Sequence, residues 1–159
     1  AFNVVFEAVR RGARVMVYEL LDDGSRAQVK AGVAAVKALQ AALEKRFPEP
    51  AARTKYLADR QLAWVERVAD EKALFAALWD AGALSADLPP GQTAGIEKVE
   101  PRGERATVHV KGDTGAVREF AMARDAQKRW SFAGLEATLE REGLRRLEAE
   151  ARALPPPTP

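Results

Sequence analysis

The sequence predicts an α+β domain in which helices come first and pack on a curved antiparallel four-stranded meander, with a further helix at the C-terminal end. Three observations carry this. Apolar residues recur at spacings of three and four as far as residue 84, which is the helical period. Beyond Leu88-Pro89-Pro90-Gly91 the period becomes two, in short runs divided by turn residues. After Gly134 the helical period returns in a stretch rich in Leu, Glu and Arg. Helices followed by a run of short strands point to helices layered on one sheet, not to alternating β-α-β units.

Residues 2–21 read as a first helix, with Phe2, Val5, Phe6, Val9, Ala13, Met16, Val17 and Leu20 as its stripe. Gly12 interrupts it at a cost of about 1 kcal/mol against Ala, so a bend or a close approach is expected there. Asp22-Asp23-Gly24-Ser25 is a strong break whose side-chain oxygens can cap the next helix. That helix is expected over residues 25–47, on Val29, Val33, Val36, Leu39, Leu43 and Phe47, and Pro48 and Pro50 end it. Residues 51–84 are helical again, as one bent helix or two. Asp70 reads as an N-cap and Gly82 as a C-terminal stop.

The strands are expected at residues 96–100, 106–111, 117–123 and 129–133. Pro101-Arg102-Gly103-Glu104, Gly112-Asp113-Thr114-Gly115 and Arg124-Asp125-Ala126-Gln127 are the turns between them. A C-terminal helix follows over 135–154, with a narrow stripe of Leu135, Leu139, Leu144 and Leu147. Residues 155–159 read as a stiff, disordered Pro-rich tail. The expected organisation is one α+β domain over 1–134, a charged helix over 135–154, and the tail.

Composition narrows the function classes. At 159 residues the chain is the size of one domain. It has no cysteine, which excludes disulfides, thiolate zinc sites, iron–sulfur clusters and cysteine nucleophiles. One histidine does not make a His-based metal site, so no metal is expected. The net charge of +2 gives little pull on phosphate backbones. The clusters Arg10-Arg11-Arg14 and Arg141-Arg145-Arg146 lack interleaved aromatics, and glutamates surround the second, so no nucleic-acid partner is expected. No apolar run approaches the roughly 20 residues of a membrane-spanning helix. There is no P-loop, dinucleotide fingerprint or Ser-His-Asp signature, and no cofactor is expected.

Two stretches carry a family resemblance. Phe6-Glu-Ala-Val-Arg-Arg-Gly-Ala-Arg with Leu20-Leu-Asp-Asp-Gly-Ser-Arg26 resembles the opening of nuclear-transport-factor-2-like (cystatin-like) domains. Gly103-Glu-Arg-Ala-Thr-Val-His-Val110 and Lys128-Arg-Trp-Ser-Phe132 resemble strands of their sheet. The resemblance covers residues 2–133 through short motifs, and residues 51–84 and the helix after Gly134 depart from the simplest members. It implies a cone-shaped fold whose concave sheet face and covering helices enclose a pocket. In enzymes of that superfamily an Asp, His or Tyr on the inner face transfers protons.

The candidate residues follow. Trp64, Trp79, Phe120, Met122 and Trp130 are the expected lining of an apolar pocket, although aromatics at helical spacing are more often plain core. His109, Tyr56 and Asp59 are the alternative acid–base set, and Tyr18 reads as the edge of the core. His109 shares a strand face with Thr107 and Lys111, opposite Val108 and Val110, so its plainer reading is an exposed strand histidine. The leading expectation is a non-catalytic bacterial binding or scaffold domain engaging a protein partner, a second copy of itself or an apolar small ligand. A small isomerase, dehydratase or cyclase of the ketosteroid-isomerase-like kind is the alternative. A third is a subunit of a larger assembly docked through the charged C-terminal helix. Arginine outnumbers lysine and the helices are alanine-rich, a composition of high-GC bacterial genomes. The start at Ala1, the absence of cysteine and the Pro-rich tail lead to an expected cell-envelope or periplasmic location, with a lipoprotein as one form of it and the cytoplasm as the alternative.

Overall fold

The computed structural model describes residues 2–89, 93–112 and 114–156. Residues 90 and 91 of the expected boundary, residue 92 after it, Asp113 of the expected second turn and residues 157–159 of the expected tail lie outside the described residues. Helices come first, a four-stranded antiparallel sheet follows and a helix closes the chain.

The first apolar stripe forms two helices, α1 (Phe2–Arg10) and α2 (Arg14–Glu19). Gly12 separates them in the left-handed conformation, φ 66°, which glycine adopts without steric cost. The long helix α3 (Asp23–Arg46) starts at the expected break. The Asp22 carboxylate accepts from the Ser25 backbone N–H at 3.1 Å and from the Ser25 hydroxyl, and both residues are buried. Residues 50–80 divide into α4 (Pro50–Asp59), a 3₁₀ turn (Ala63–Arg67) and α5 (Glu71–Asp80). Gln61, at φ 59°, turns the chain after α4, and Asp70 caps α5 through the Ala73 N–H at 2.8 Å.

The two caps differ in burial, and that predicts different costs. Asp22→Ala leaves the Ser25 hydroxyl buried without its acceptor, and is expected to cost about 2 kcal/mol, the upper end for a lost cap. Asp70→Ala, at an exposed cap, is expected to cost about 1 kcal/mol or less. Urea midpoints of the two variants check the order, and equal midpoints would contradict it.

The sheet is a meander of β1 (Thr93–Arg102), β2 (Arg105–Gly112), β3 (Val117–Arg124) and β4 (Trp130–Phe132), in that spatial order. β4 is also held on its other side. Phe132 donates to the Leu20 carbonyl at 2.6 Å, and its own carbonyl accepts from Asp22 at 2.9 Å, so Leu21 lies beside it as a short parallel bridge. The outer edge of β1 has no strand partner among the described residues.

Ala106, Val108, Val110, Phe120, Met122 and Phe132 form the buried face of the sheet. Helix α1 lies against it, with the Phe2 ring 5.7 Å from that of Phe120. On the helical side α3 is central, packed by α5 and by the C-terminal helix. That last helix runs through α6 (Glu136–Thr138), a π-helical stretch (Leu139–Arg145) and α7 (Arg146–Arg152). Leu135, Leu139 and Leu147 are fully buried, so its apolar stripe is covered within the fold. Gly143 in the π-helical stretch meets Gly32 of α3 at a backbone-to-backbone approach.

Candidate functional site

The buried sheet face continues towards β1 without a helix above it. Period two alone would place Ile96 and Val99 on opposite faces. The β1–β2 register shifts between Ile96 and Lys98, so Ile96 faces Val110 and Val99 faces Val108, both on the apolar side. Ile96 is 39% exposed and Val99 53%, while Val108 and Met122 beneath are each 2% exposed. With Phe2 and Asn3 of α1, Pro101, Ala106 and Trp130, these residues line a cleft of about 270 Å³. Among the described residues, that lining is apolar apart from the Asn3 amide and the Trp130 indole N–H, and none of its side chains is titratable.

The Trp130 end of the cleft carries charge. The Arg124 guanidinium lies 5.5 Å from the centre of the Trp130 ring, and its Nε and Nη2 donate to Glu104, each at 3.2 Å. The hydrogen bond from Arg124, and then its charge, hold the Glu104 carboxyl below its ordinary value. Arg124 is raised by the same hydrogen bond and charge. The pair is therefore intact at neutral pH and is lost as pH falls through the lowered Glu104 value.

The sequence-derived pocket residues fall on three surfaces. Met122 and Trp130 line the cleft. Phe120 lies on the same sheet face but deeper, between Phe2 and Phe132, with ring centroids at 5.7 and 6.3 Å. Trp64 stands on the 3₁₀ turn beside a separate groove lined by Ala73, Ala76 and Ala77 of α5 and by Arg146. Trp79 packs edge-on against Phe75 at 6.1 Å and carries the Arg14 guanidinium 5.5 Å away. The cleft residues that sequence reasoning missed are Phe2, Asn3, Ile96, Val99, Pro101, Ala106 and Val108. For Ile96 and Val99 the signal is hidden, because the register shift breaks the alternation that reveals a strand face.

The acid–base candidates do not share a pocket. His109 points to the other face of the sheet, as its period-two position implies. There its side chain is 15% exposed, with Nδ1 3.5 Å from Glu119 and Nε2 3.7 Å from Glu100, which also pairs with Lys98. The two carboxylates come from neighbouring strands, so their approach is set by register and is invisible in linear spacing. Nε2 is buried without a hydrogen-bond partner. Tyr56 packs on Phe47 at 5.1 Å, and Asp59 is exposed in a 2.8 Å pair with Lys55. Tyr18 lies against Phe75 at 5.8 Å, and burial pushes its phenol up. Among the described residues, no group of three or more His, Cys, Asp or Glu is placed to hold a metal ion. Among the same residues, no helix is long and apolar enough to cross a membrane.

Two wider depressions exist in the helical layer, the Trp64 groove and one between α3, α4 and the 3₁₀ turn. The second mixes Lys37, Arg53 and Arg67 with Glu44 and Glu66, and its Gln40 amide is already engaged by the Val65 and Val68 carbonyls at 2.8 and 3.1 Å. The cleft under β1 differs in chemistry, with an apolar floor and an apolar rim facing water. The fold and this site define an α+β domain with a half-covered apolar cleft at a free sheet edge. No protein-family model matches the chain, and no curated protein or solved structure is significantly similar to it. None of these comparisons supports the nuclear-transport-factor-2-like resemblance expected from the sequence motifs. One of those motifs, Leu20-Leu-Asp-Asp-Gly-Ser, is the joint between α2, α3 and β4.

Proposed function

We propose that this chain is a non-catalytic binding domain whose cleft under β1 receives an apolar small ligand or the apolar group of a protein partner. The observation that carries the reading is the display of Ile96 and Val99 beside a buried apolar floor. Covering such surface contributes roughly 25 cal/mol per Å² of apolar area, against which the entropy cost of association is set. A lining without an acid or base suits binding better than proton transfer. The bacterial cell-envelope location expected from the sequence belongs to the same proposal, and detection of the protein in fractionated cells tests it.

The direct test uses a neutral solvatochromic dye, Nile red. Its emission is expected to rise on mixing with the chain, and Val99→Glu is expected to remove most of that rise. Val99 is more than half exposed, so its substitution should change stability by no more than about 0.5 kcal/mol. Dye binding that survives Val99→Glu unchanged would place the binding surface elsewhere.

A further inference from the structure

We infer that β1 pairs antiparallel with β1 of a second copy of the chain, about a two-fold axis at Val99. The inference rests on the cleft being a binding surface and names its partner.

The backbone at this edge is open to pairing. β1 has no strand partner on its outer side among the described residues, whereas the far edge, β4, is held by the Leu21 bridge. An unpaired strand edge is a template for another strand. The β1–β2 hairpin closes on Arg102 and Arg105 around a two-residue turn, with Gly103 at φ 63°. Bonded and non-bonded pairs alternate along an antiparallel ladder. Arg102, Glu100 and Lys98 therefore turn their backbone groups towards β2, and Val99 and Pro101 direct theirs outwards. Proline suits that place, since it has no N–H to offer the ladder.

Charge selects the register. Copies paired about a two-fold axis set one residue against itself at the axis and its neighbours crosswise. An axis at Lys98 opposes two lysines. An axis at Glu100 opposes two glutamates and sets Lys98 against Arg102. At Pro101 neither central nitrogen can donate, and Ile96 and Glu97 fall in the shift of the β1–β2 register. An axis at Val99 is free of these conflicts. Each Val99 N–H then donates to the other copy's Val99 carbonyl, and Lys98 faces Glu100 of the other copy, twice. Lys98 and Glu100 already pair within the chain on the polar face, so the dimer sets four charges there in alternation. Opposite charges across a ladder stabilise it, and like charges do the reverse.

The apolar face gains as well. Val99 is the most exposed large apolar side chain among the described residues, and pairing lays it against its own copy. The two clefts then lie side by side on one face of a continuous sheet, with Val99 and Pro101 of both copies between them. Pro101 and the register shift confine regular pairing to a few residues, against roughly 20–30 a side in a stable interface. Association is therefore weak and concentration-dependent. It uses the one free edge and closes as a dimer.

Sedimentation equilibrium of the whole chain, loaded up to about 1 mM to reach the weak end of specific association, is expected to show the mass rising from one chain towards two. The Val99 amide should exchange with deuterium more slowly as concentration rises, because its N–H turns from water to a carbonyl. Lys98→Glu and Glu100→Lys are the deciding variants, on the sheet face away from the cleft. Each alone should weaken self-association about tenfold or more, since two attractions become two repulsions. An equimolar mixture of the two should associate at least as well as the parent, and the double variant should behave like the parent. Recovery in the mixture would also show that both variants fold. A chain that stays monomeric at every loading would overturn the inference, and Nile red entry removed by Val99→Glu would then still carry the binding-domain reading. A dimer indifferent to both charge changes would place the contact elsewhere and overturn it too. So would weakening by each variant without recovery in the mixture. A dimer with the expected charge pattern but no Nile red entry would uphold the inference and limit the cleft to a protein partner.

Discussion

Gly32→Ala should destabilise the fold, although alanine is the better helix former by about 1 kcal/mol. A Cβ at Gly32 would lie 2.6 Å from the Gly143 carbonyl oxygen and 2.8 Å from Cδ2 of Leu74. The nearer atom is backbone, so relief requires α3 and the C-terminal helix to separate. Overpacking of this kind costs typically 1–3 kcal/mol, and Gly32→Val should cost more. Gly24→Ala is the control. Its Cβ would meet the Glu136 carboxylate at 2.8 Å, but that is the movable end of a long side chain, and a change within about 0.5 kcal/mol is expected. Denaturant midpoints at constant slope read both effects. A Gly32→Ala variant as stable as the parent would show that the two helices are not held at this separation.

Phe132→Ala carries the other large expected effect, about 3–5 kcal/mol, the usual cost of removing a buried phenylalanine ring. Phe132 is fully buried, its ring is 6.3 Å from that of Phe120, and its backbone ties β4 to Leu20 and Asp22. The variant should unfold in one transition at lower denaturant, followed by far-ultraviolet circular dichroism and by tryptophan fluorescence. Two separated transitions would show that the helical layer and the sheet are independent cooperative units. A loss below about 1 kcal/mol would mean that the surrounding side chains collapse into the space.

The parts of the fold legible in the sequence are those specified by local chemistry. The start of α3 is written in Asp22 and Ser25, its end in Pro48 and Pro50, and the β2 face in the alternation of Ala106, Val108 and Val110. The break at Gly12 was marked by the glycine itself, but its size depends on a positive φ that the apolar stripe does not report. The turn at Gln61 had no signal, since glutamine seldom adopts a left-handed backbone. β1 runs from Thr93 to Arg102, longer than the expected 96–100, because partnership with β2 extends it through residues of low strand propensity. The π-helical stretch packs against α3, and the spacing of its leucines does not distinguish it from an α-helix. The site was legible in part for a similar reason. Met122 and Trp130 sit on regular strand positions, whereas Ile96 and Val99 reach the same face through a shift in pairing.

The bridge between Leu21 and Phe132 bears on how the chain is made. During synthesis α1, α2 and most of α3 leave the ribosome long before β4 exists. At about 5–20 residues per second, the Leu20–Asp22 segment waits roughly 6–22 s for its partner. Through that interval the nascent helices carry an uncovered apolar flank, Phe2 and Val5 included, that the sheet will later occupy. The amino-terminal half thus holds that flank open to water for the length of the wait, until β4 closes on it from far along the chain.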